Sequence, residues 1–209
     1  MTKGTAVHTD ARRAADWPNR AAKVKGRRKM EQELLRHRLA SHSDLADLKL
    51  LMDAAISENQ KAFLTPEQIS SSRAIMGLDS QLIEDGTYFV VEIGGVLAGC
   101  GGWSRRATLY GGDRTSGRDA ALLDPANDAA RIRAMYTHPN FTRRGVGRLI
   151  MAVCEEAARN EGFRDIELMA TLSGEPLYLV CGYQAIERVE DSRGGANVPL
   201  IRMRKPLEP

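Results

Sequence analysis

A chain of 209 residues, 43% hydrophobic and 27% charged, has the length of one ordinary domain with an extension and the composition of a globular protein. Wholesale disorder is excluded, and so is a membrane helix. The longest apolar stretch, Tyr88 to Trp103, is broken by Glu92 and five glycines, well short of the roughly 18 apolar residues in a row that a span requires.

The net charge of +3 is unevenly spread. Residues 1–40 hold eleven Lys/Arg against four Asp/Glu, or +7, and the remainder holds nineteen against twenty-three, or −4. Cys100, Cys154 and Cys181 are odd in number and set in apolar runs, which argues against a disulfide framework and for a reducing, cytoplasmic compartment. No CxxC pair suggests zinc, so no metal is expected. Met1 to Met30 contains no apolar core of a signal peptide.

Residues 1–36 lack apolar periodicity and read as a mobile basic arm, with a charged helix over Arg27 to Arg36 as the one candidate element. Only Trp17 is available there for stacking, so nucleic acid is not expected as a partner. Residues 37–209 read as the folded domain. Ser43 or Asp44 caps a helix with Leu45, Leu48, Leu51, Met52, Ala55 and Ile56 at helical spacing. Thr65-Pro66-Glu67 starts a second helix that stops near Gly77, so two helices precede the first strand. Thr87 to Ile93, the turn Gly94-Gly95 and Val96 to Ser104 form a hairpin. Residues 106–128 form a long loop, either a functional flap or a mobile insertion.

Arg131 to Thr137 reads as a strand ended by His138-Pro139. A helix follows with Val146, Leu149, Ile150, Val153, Cys154, Ala157 and Ala158 on one face. Arg164 to Thr171 alternates as a strand does. A short helix at Glu175 to Cys181 and strands at Tyr183 to Glu190 and Val198 to Arg204 complete the chain.

The chemistry concentrates between Arg131 and Arg159. A glycine turn opening a helix offers unpaired N–H groups to an anion, and the helix dipole adds roughly 0.3–2 kcal/mol in favour of negative charge. Gly145 and Gly147 leave that approach open, while Arg143, Arg144 and Arg148 supply cations beside it. Ile150 stands where a dinucleotide fingerprint needs its third glycine, and no Gly-Lys-Ser/Thr of a Walker loop is present.

The run Met135-Tyr136-Thr137-His138-Pro139, then Thr142-Arg143-Arg144-Gly145-Val146-Gly147 and an amphipathic helix, resembles the acyl-CoA binding segment of the GNAT N-acyltransferases. Downstream, Tyr178-Leu179-Val180-Cys181-Gly182-Tyr183 resembles the family's Tyr-x-x-x-Gly-aromatic element. The resemblance runs from about Arg38 to Leu207. It implies an α/β fold, a mixed, twisted central sheet flanked by helices, with acyl-CoA held where two central strands splay. It also implies acetyl transfer from acetyl-CoA, as co-substrate, to a primary amine of a small molecule or protein.

Residue by residue, the resemblance implies that main-chain groups of Met135, Tyr136 and Thr137 pair with the pantetheine arm. The amides of Arg144 to Gly147 would hold the pyrophosphate, with Thr142, Arg143 and Arg148 nearby, and Tyr178 would protonate the departing thiolate. Thr142 stands where the family has Gln or Arg, and Thr171 where many members have Asn, leaving a hydroxyl to bond the pantetheine or the helix start.

Freeing the lone pair of an alkylammonium costs about 4.6 kcal/mol at pH 7, so a carboxylate near the acetyl carbon is expected. Glu167 shares strand parity with Met169 and Thr171 and is the first candidate, with Glu92 the second; His138 reads as a cap of the strand end. Trp103, Arg105 and Arg106 are candidates for an acceptor wall. An exposed C-terminal edge strand leaves a homodimer open. Two other functions compete: a silent CoA-binding sensor or scaffold, and a nucleic-acid-associated protein acting through its arm.

Overall fold

The architecture follows from where the apolar period changes along the chain. In the computed structural model, which describes residues 35–208, the strands are β1 (Leu35–Leu39), β2 (Tyr88–Ile93), β3 (Val96–Ser104), β4 (Ala130–Thr137), β5 (Asp165–Thr171), β6 (Gln184–Asp191) and β7 (Val198–Pro206). The helices are α1 (Leu45–Asn59), α2 (Pro66–Ser72), α3 (Ser80–Glu84), α4 (Val146–Asn160) and α5 (Glu175–Val180). The strands form one sheet in the order β1-β2-β3-β4-β5-β7-β6. All neighbours are antiparallel except β4 and β5.

The two faces of the sheet are covered by different helices. On one, Leu48, Leu51, Met52 and Ile56 of α1 pack on Tyr88, Val90 and Cys100. On the other, Val146, Ile150 and Cys154 of α4 pack on Val91, Ile93 and Ala98. The alternation of β2 thus feeds both layers, as a central strand must. A third cluster, Leu64, Ile75, Val198 and Leu200, closes the space beside β7.

Close packing of α4 depends on missing side chains. A Cβ at Gly101 would lie 2.6 Å from Ile150 Cγ2 and 2.6 Å from Met135 Cγ, and one at Gly99 would collide with Val146. Overpacked cores lose about 1–3 kcal/mol. Gly101→Val is expected to fall in that range, measured as a lowered urea midpoint with an unchanged slope.

Several expectations are corrected. Strand β1 precedes the helices, so two helices do not come before the first strand. It starts at Leu35 and thereby takes in Leu35 and Arg36, which rules out a helix at that end; the rest of the arm lies outside the described residues. Its polar sequence Arg-His-Arg reads as an exposed edge because only Leu35 is packed on the core. The chain enters α1 through a short 3-10 turn at His42–Asp44, where Asp44 accepts from Ser41 N and pairs with Arg38 at 2.8 Å. Helix α2 stops at Ser72, short of Gly77, and α3 follows it. Thr65 caps α2 as expected, accepting from Gln68 N with Pro66 in the first turn.

The long loop is held at many points. Arg106 pairs with Asp85 at 2.7 Å, Thr108 exchanges hydrogen bonds with Asp119, and Arg118 pairs with Asp79 at 2.5 Å. Arg193, from the β6–β7 turn, donates to Ser116 O. The loop is a fixed wall over the sheet rather than a loose insertion. No helix among the described residues is long and apolar enough to cross a membrane.

Candidate functional site

Strands β4 and β5 pair only at Ala130↔Ile166 and Arg131↔Glu167, and beyond that point they diverge. Divergence leaves the inner main-chain edge of β4 without a strand partner, a row of donors and acceptors able to pair with an extended ligand. A cleft opens in the fork. Its floor and sides include Met135, Tyr136, Met169, Thr171 and Tyr178.

A bulge shapes the β4 side. The register against β3 slips between Cys100 and Gly102, and Ala134 sits in the left-handed region at φ 49°. Bulges re-aim backbone groups next to sites. Tyr88 donates its hydroxyl to Ala134 O at 2.8 Å. Because the C=O and N–H of a trans peptide point oppositely, the Met135 N–H is turned away from Tyr88.

At the open end of the fork, a short 3-10 turn over Pro139–Phe141 leads into the glycine turn and α4. His138 caps that turn, its Nδ1 accepting from Asn140 N, and burial lowers the imidazole's pKa. Thr142 donates to Pro139 O, which fixes the approach to the turn. Arg143 (φ 62°) and Gly145 (φ 85°) both adopt left-handed backbone, so the chain reverses sharply into Val146. The first amides of a helix have no intrahelical partners. Here they lie between exposed Thr142, Arg143, Gly145 and Arg148. Arg144 lies over the Phe141 ring, 5.3 Å from its centroid. The helix behind this anion cradle is 15 residues long, so its dipole adds to the effect.

The other wall carries Tyr178. Its ring packs edge-on against Tyr183 at 6.1 Å, and burial pushes its phenol's pKa up, so it stays protonated at neutral pH. Thr171 accepts from Gly174 N at 3.2 Å and bonds Ser173, so its hydroxyl serves the entry to α5. A Cβ at Gly174 would lie 2.9 Å from the Tyr178 ring, which explains the glycine there.

The structure does not bring Glu167 into this group. It lies at the closed end of the fork, 2% exposed, with Arg131 at 2.8 Å, Arg202 at 2.7 Å and Arg204 at 3.4 Å. Three guanidiniums use both oxygens, so Glu167 holds the seam of β4, β5 and β7 together and is not placed to take a proton from an amine. Glu92 is occupied by Arg38 at the far edge. Trp103, Arg105 and Arg106 do not form an acceptor wall either. Trp103 is buried against Phe163, Arg105 stacks on it and pairs with Glu161, and Arg106 serves Asp85.

The far side of the cleft comes from segments that periodicity does not reveal: Ile75, Met76 and Gly77 after α2, and Leu109, Tyr110 and Gly111 in the long loop. Both segments are tied down. Tyr136 Oη accepts from Gly77 N at 2.7 Å. Arg133, 4% exposed, donates to Thr108 O, Gly111 O and Asp79. Burial lowers its guanidinium pKa, and Asp79 opposes that. Tyr110 donates to Asp191, which Arg193 pairs. The one signal for Arg133 is a charge between Ile132 and Ala134 on a largely apolar strand, which calls for a buried partner. Nothing in the sequence says that the partner is Asp79.

Cys100 and Cys154 are buried core residues, and burial pushes the Cys100 thiol up to about 12. No group of three or more His, Cys, Asp or Glu side chains able to hold a metal occurs among the described residues.

A forked sheet with a bulged strand, a glycine turn at a helix start and a buried tyrosine on the facing wall together frame one cleft. The model of the acetyltransferase (GNAT) family matches residues 51–183, and the chain belongs to that family. It is similar to a GCN5-related N-acetyltransferase from Rhodopseudomonas palustris, with 20% identity, TM-score 0.60, and 87% of this chain and 100% of that chain covered. The PaiA N-acetyltransferase from Thermoplasma acidophilum, solved in complex with coenzyme A, is 12% identical with TM-score 0.57 over 83% and 99% of the two chains. YncA from Salmonella typhimurium, solved with its cofactor acetyl-CoA, is 17% identical with TM-score 0.55 over 83% and 94%. No curated protein sequence gives a significant match.

Proposed function

We propose that the protein moves an acetyl group from acetyl-CoA to a primary amine by direct attack. The observation that carries this reading is the fork itself, with the α4 anion cradle at its mouth and Tyr178 on its β5 side. The residues present suit the co-substrate. Exposed Gly145 leaves room for a pyrophosphate at the amides of Arg144 to Gly147, with Arg143 and Arg148 beside it. The side of Met135, Tyr136 and Thr137 that no strand of the fork covers suits the amides of a pantetheine arm, although Thr137 O already accepts from Asn59 Nδ2, and two coenzyme-bound relatives of the same fold support the choice.

In this reading the fork aligns the amine with the thioester carbonyl. The nitrogen lone pair forms the new N–C bond, and main-chain donors of the bulged β4 stabilise the oxyanion. The C–S bond then breaks, its electron pair going to sulfur. Tyr178 gives that sulfur its proton, and the nitrogen loses its own to water. A phenol kept protonated by burial is suited to this task.

Tyr178→Phe keeps the ring and removes the acid. It is expected to lower kcat by roughly 100-fold while leaving acetyl-CoA binding by calorimetry unchanged. Equal kcat in both proteins would remove Tyr178 from the chemistry. Wild-type protein that binds acetyl-CoA but releases no CoA thiol with any amine would instead be a sensor or scaffold. We further propose residues 35–209, which take in all of β1, as the acyltransferase domain, with residues 1–34 as a basic arm.

A further inference from the structure

The half of the cleft beyond Thr171 and Tyr178 is built from apolar side chains. Ile75 and Leu200 belong to the third core cluster, and Met76, Tyr110 and Met169 pack against it. Leu109 and Leu168 complete the lining. The polar groups that reach the lining are already engaged. Tyr136 holds Gly77 and Tyr110 donates to Asp191. Arg133, the charged residue of the lining, is held by Asp79 and two carbonyls.

The two carboxylates that hold these groups are likewise paired. Asp79 is 1% exposed and sits between Arg133 and Arg118, and Asp191 is 7% exposed and bound by Arg193. A second ammonium entering this space would find no unpaired carboxylate among the lining residues and a buried guanidinium beneath it. Apolar carbon, by contrast, would leave water for methionine, leucine and isoleucine.

Resting on the acetyltransferase reading, we propose that the acceptor is a monoamine carried on an apolar aliphatic or aromatic group, and that the wall formed by Met76, Leu109, Tyr110 and Met169 selects it over polycationic amines. The same chemistry is presented by a free alkylamine or arylalkylamine and by the α-amino group of a peptide that begins with an apolar residue.

The test measures CoA-thiol release at saturating acetyl-CoA with hexylamine, phenethylamine and the tripeptide Met-Leu-Ala on one side, and spermidine and kanamycin on the other. At least one member of the first set is expected to exceed both members of the second by roughly tenfold or more in kcat/KM, and the winning arm shows whether the source is a free amine or a peptide. In the alkylamine series kcat/KM is expected to rise by roughly fourfold per methylene as chain burial grows. Leu109→Asp, placed in the loop and outside the donor machinery, is expected to cut hexylamine turnover and raise spermidine turnover while acetyl-CoA still binds. Spermidine or kanamycin turned over as well as the apolar amines overturns the proposal, and so does acetyl-CoA binding with no turnover of either set. Failure to bind acetyl-CoA at all would overturn the acetyltransferase reading instead.

Discussion

Gly147→Trp is expected to weaken acetyl-CoA binding by roughly 100-fold or more, equivalent to about 3 kcal/mol. The indole would crowd the first turn of α4, whose amides are the donors that a pyrophosphate needs. It leaves the helix toward α5, since a Cβ at Gly147 would lie 2.6 Å from Leu177 Cδ2. That contact is with the far end of a flexible side chain, so the fold is expected to survive with a modest loss of stability. Calorimetric titration of both proteins, after a thermal melt shows each to be folded, checks the result. Micromolar binding retained by the variant would move the phosphate site away from α4. A folded wild type giving no heat, and no competition by CoA, would leave family membership intact and remove acetyl-CoA as the donor.

Asp79→Ala is expected to cost about 3–5 kcal/mol of stability in urea unfolding, because it strips the counter-charge from a buried arginine. Asp79 is 1% exposed and accepts from Arg133 at 2.7 Å and Arg118 at 2.5 Å, so its loss leaves one guanidinium wholly buried and a second half-stranded. Arg133→Met in the same chain is expected to recover part of that loss, since the stranded charge then disappears with its partner. Additive destabilisation in the double variant would show that the two side chains act independently. The single variant is also expected to loosen residues 108–111, whose carbonyls Arg133 holds, and so to raise the KM for the amine more than that for acetyl-CoA.

The strand, glycine turn and helix on the α4 side of the cleft are legible in sequence because their signals are local. Val146, Ile150 and Cys154 fall at helical spacing, the two glycines open the helix that follows, and Ile166, Leu168 and Ala170 alternate as a half-buried strand does. The opposite half, from 75–77 and 109–111, is not legible, because its anchors join residues far apart. Arg133 reaches 54 positions back to Asp79, and Tyr110 reaches 81 positions on to Asp191. Glu167 shows the limit of parity arguments. It does share a face with Met169 and Thr171, but it stands on the closed side of the point where the strands part, and no period marks that point. Strand β1 escaped notice for a related reason: an edge strand with four exposed residues carries no hydrophobic pattern to find.

The two walls of the cleft differ in kind. The donor wall is made of strand and helix whose geometry is fixed by hydrogen-bonded ladders and by α4 packed tightly on glycines. The acceptor wall is made of two short irregular segments, 75–77 and 109–111, resting on pins that lie beneath them. The side chain at Leu109 can therefore be exchanged without touching a ladder, a helix face or the buried arginine, whereas Met76 also packs on the core beneath α1 and accepts from Gln60. In evolutionary terms, on the proposed reading, new acceptors are within reach of single substitutions at Leu109 on a scaffold whose coenzyme side stays constant, and a directed library at that position would sample acceptor preference with little effect on folding.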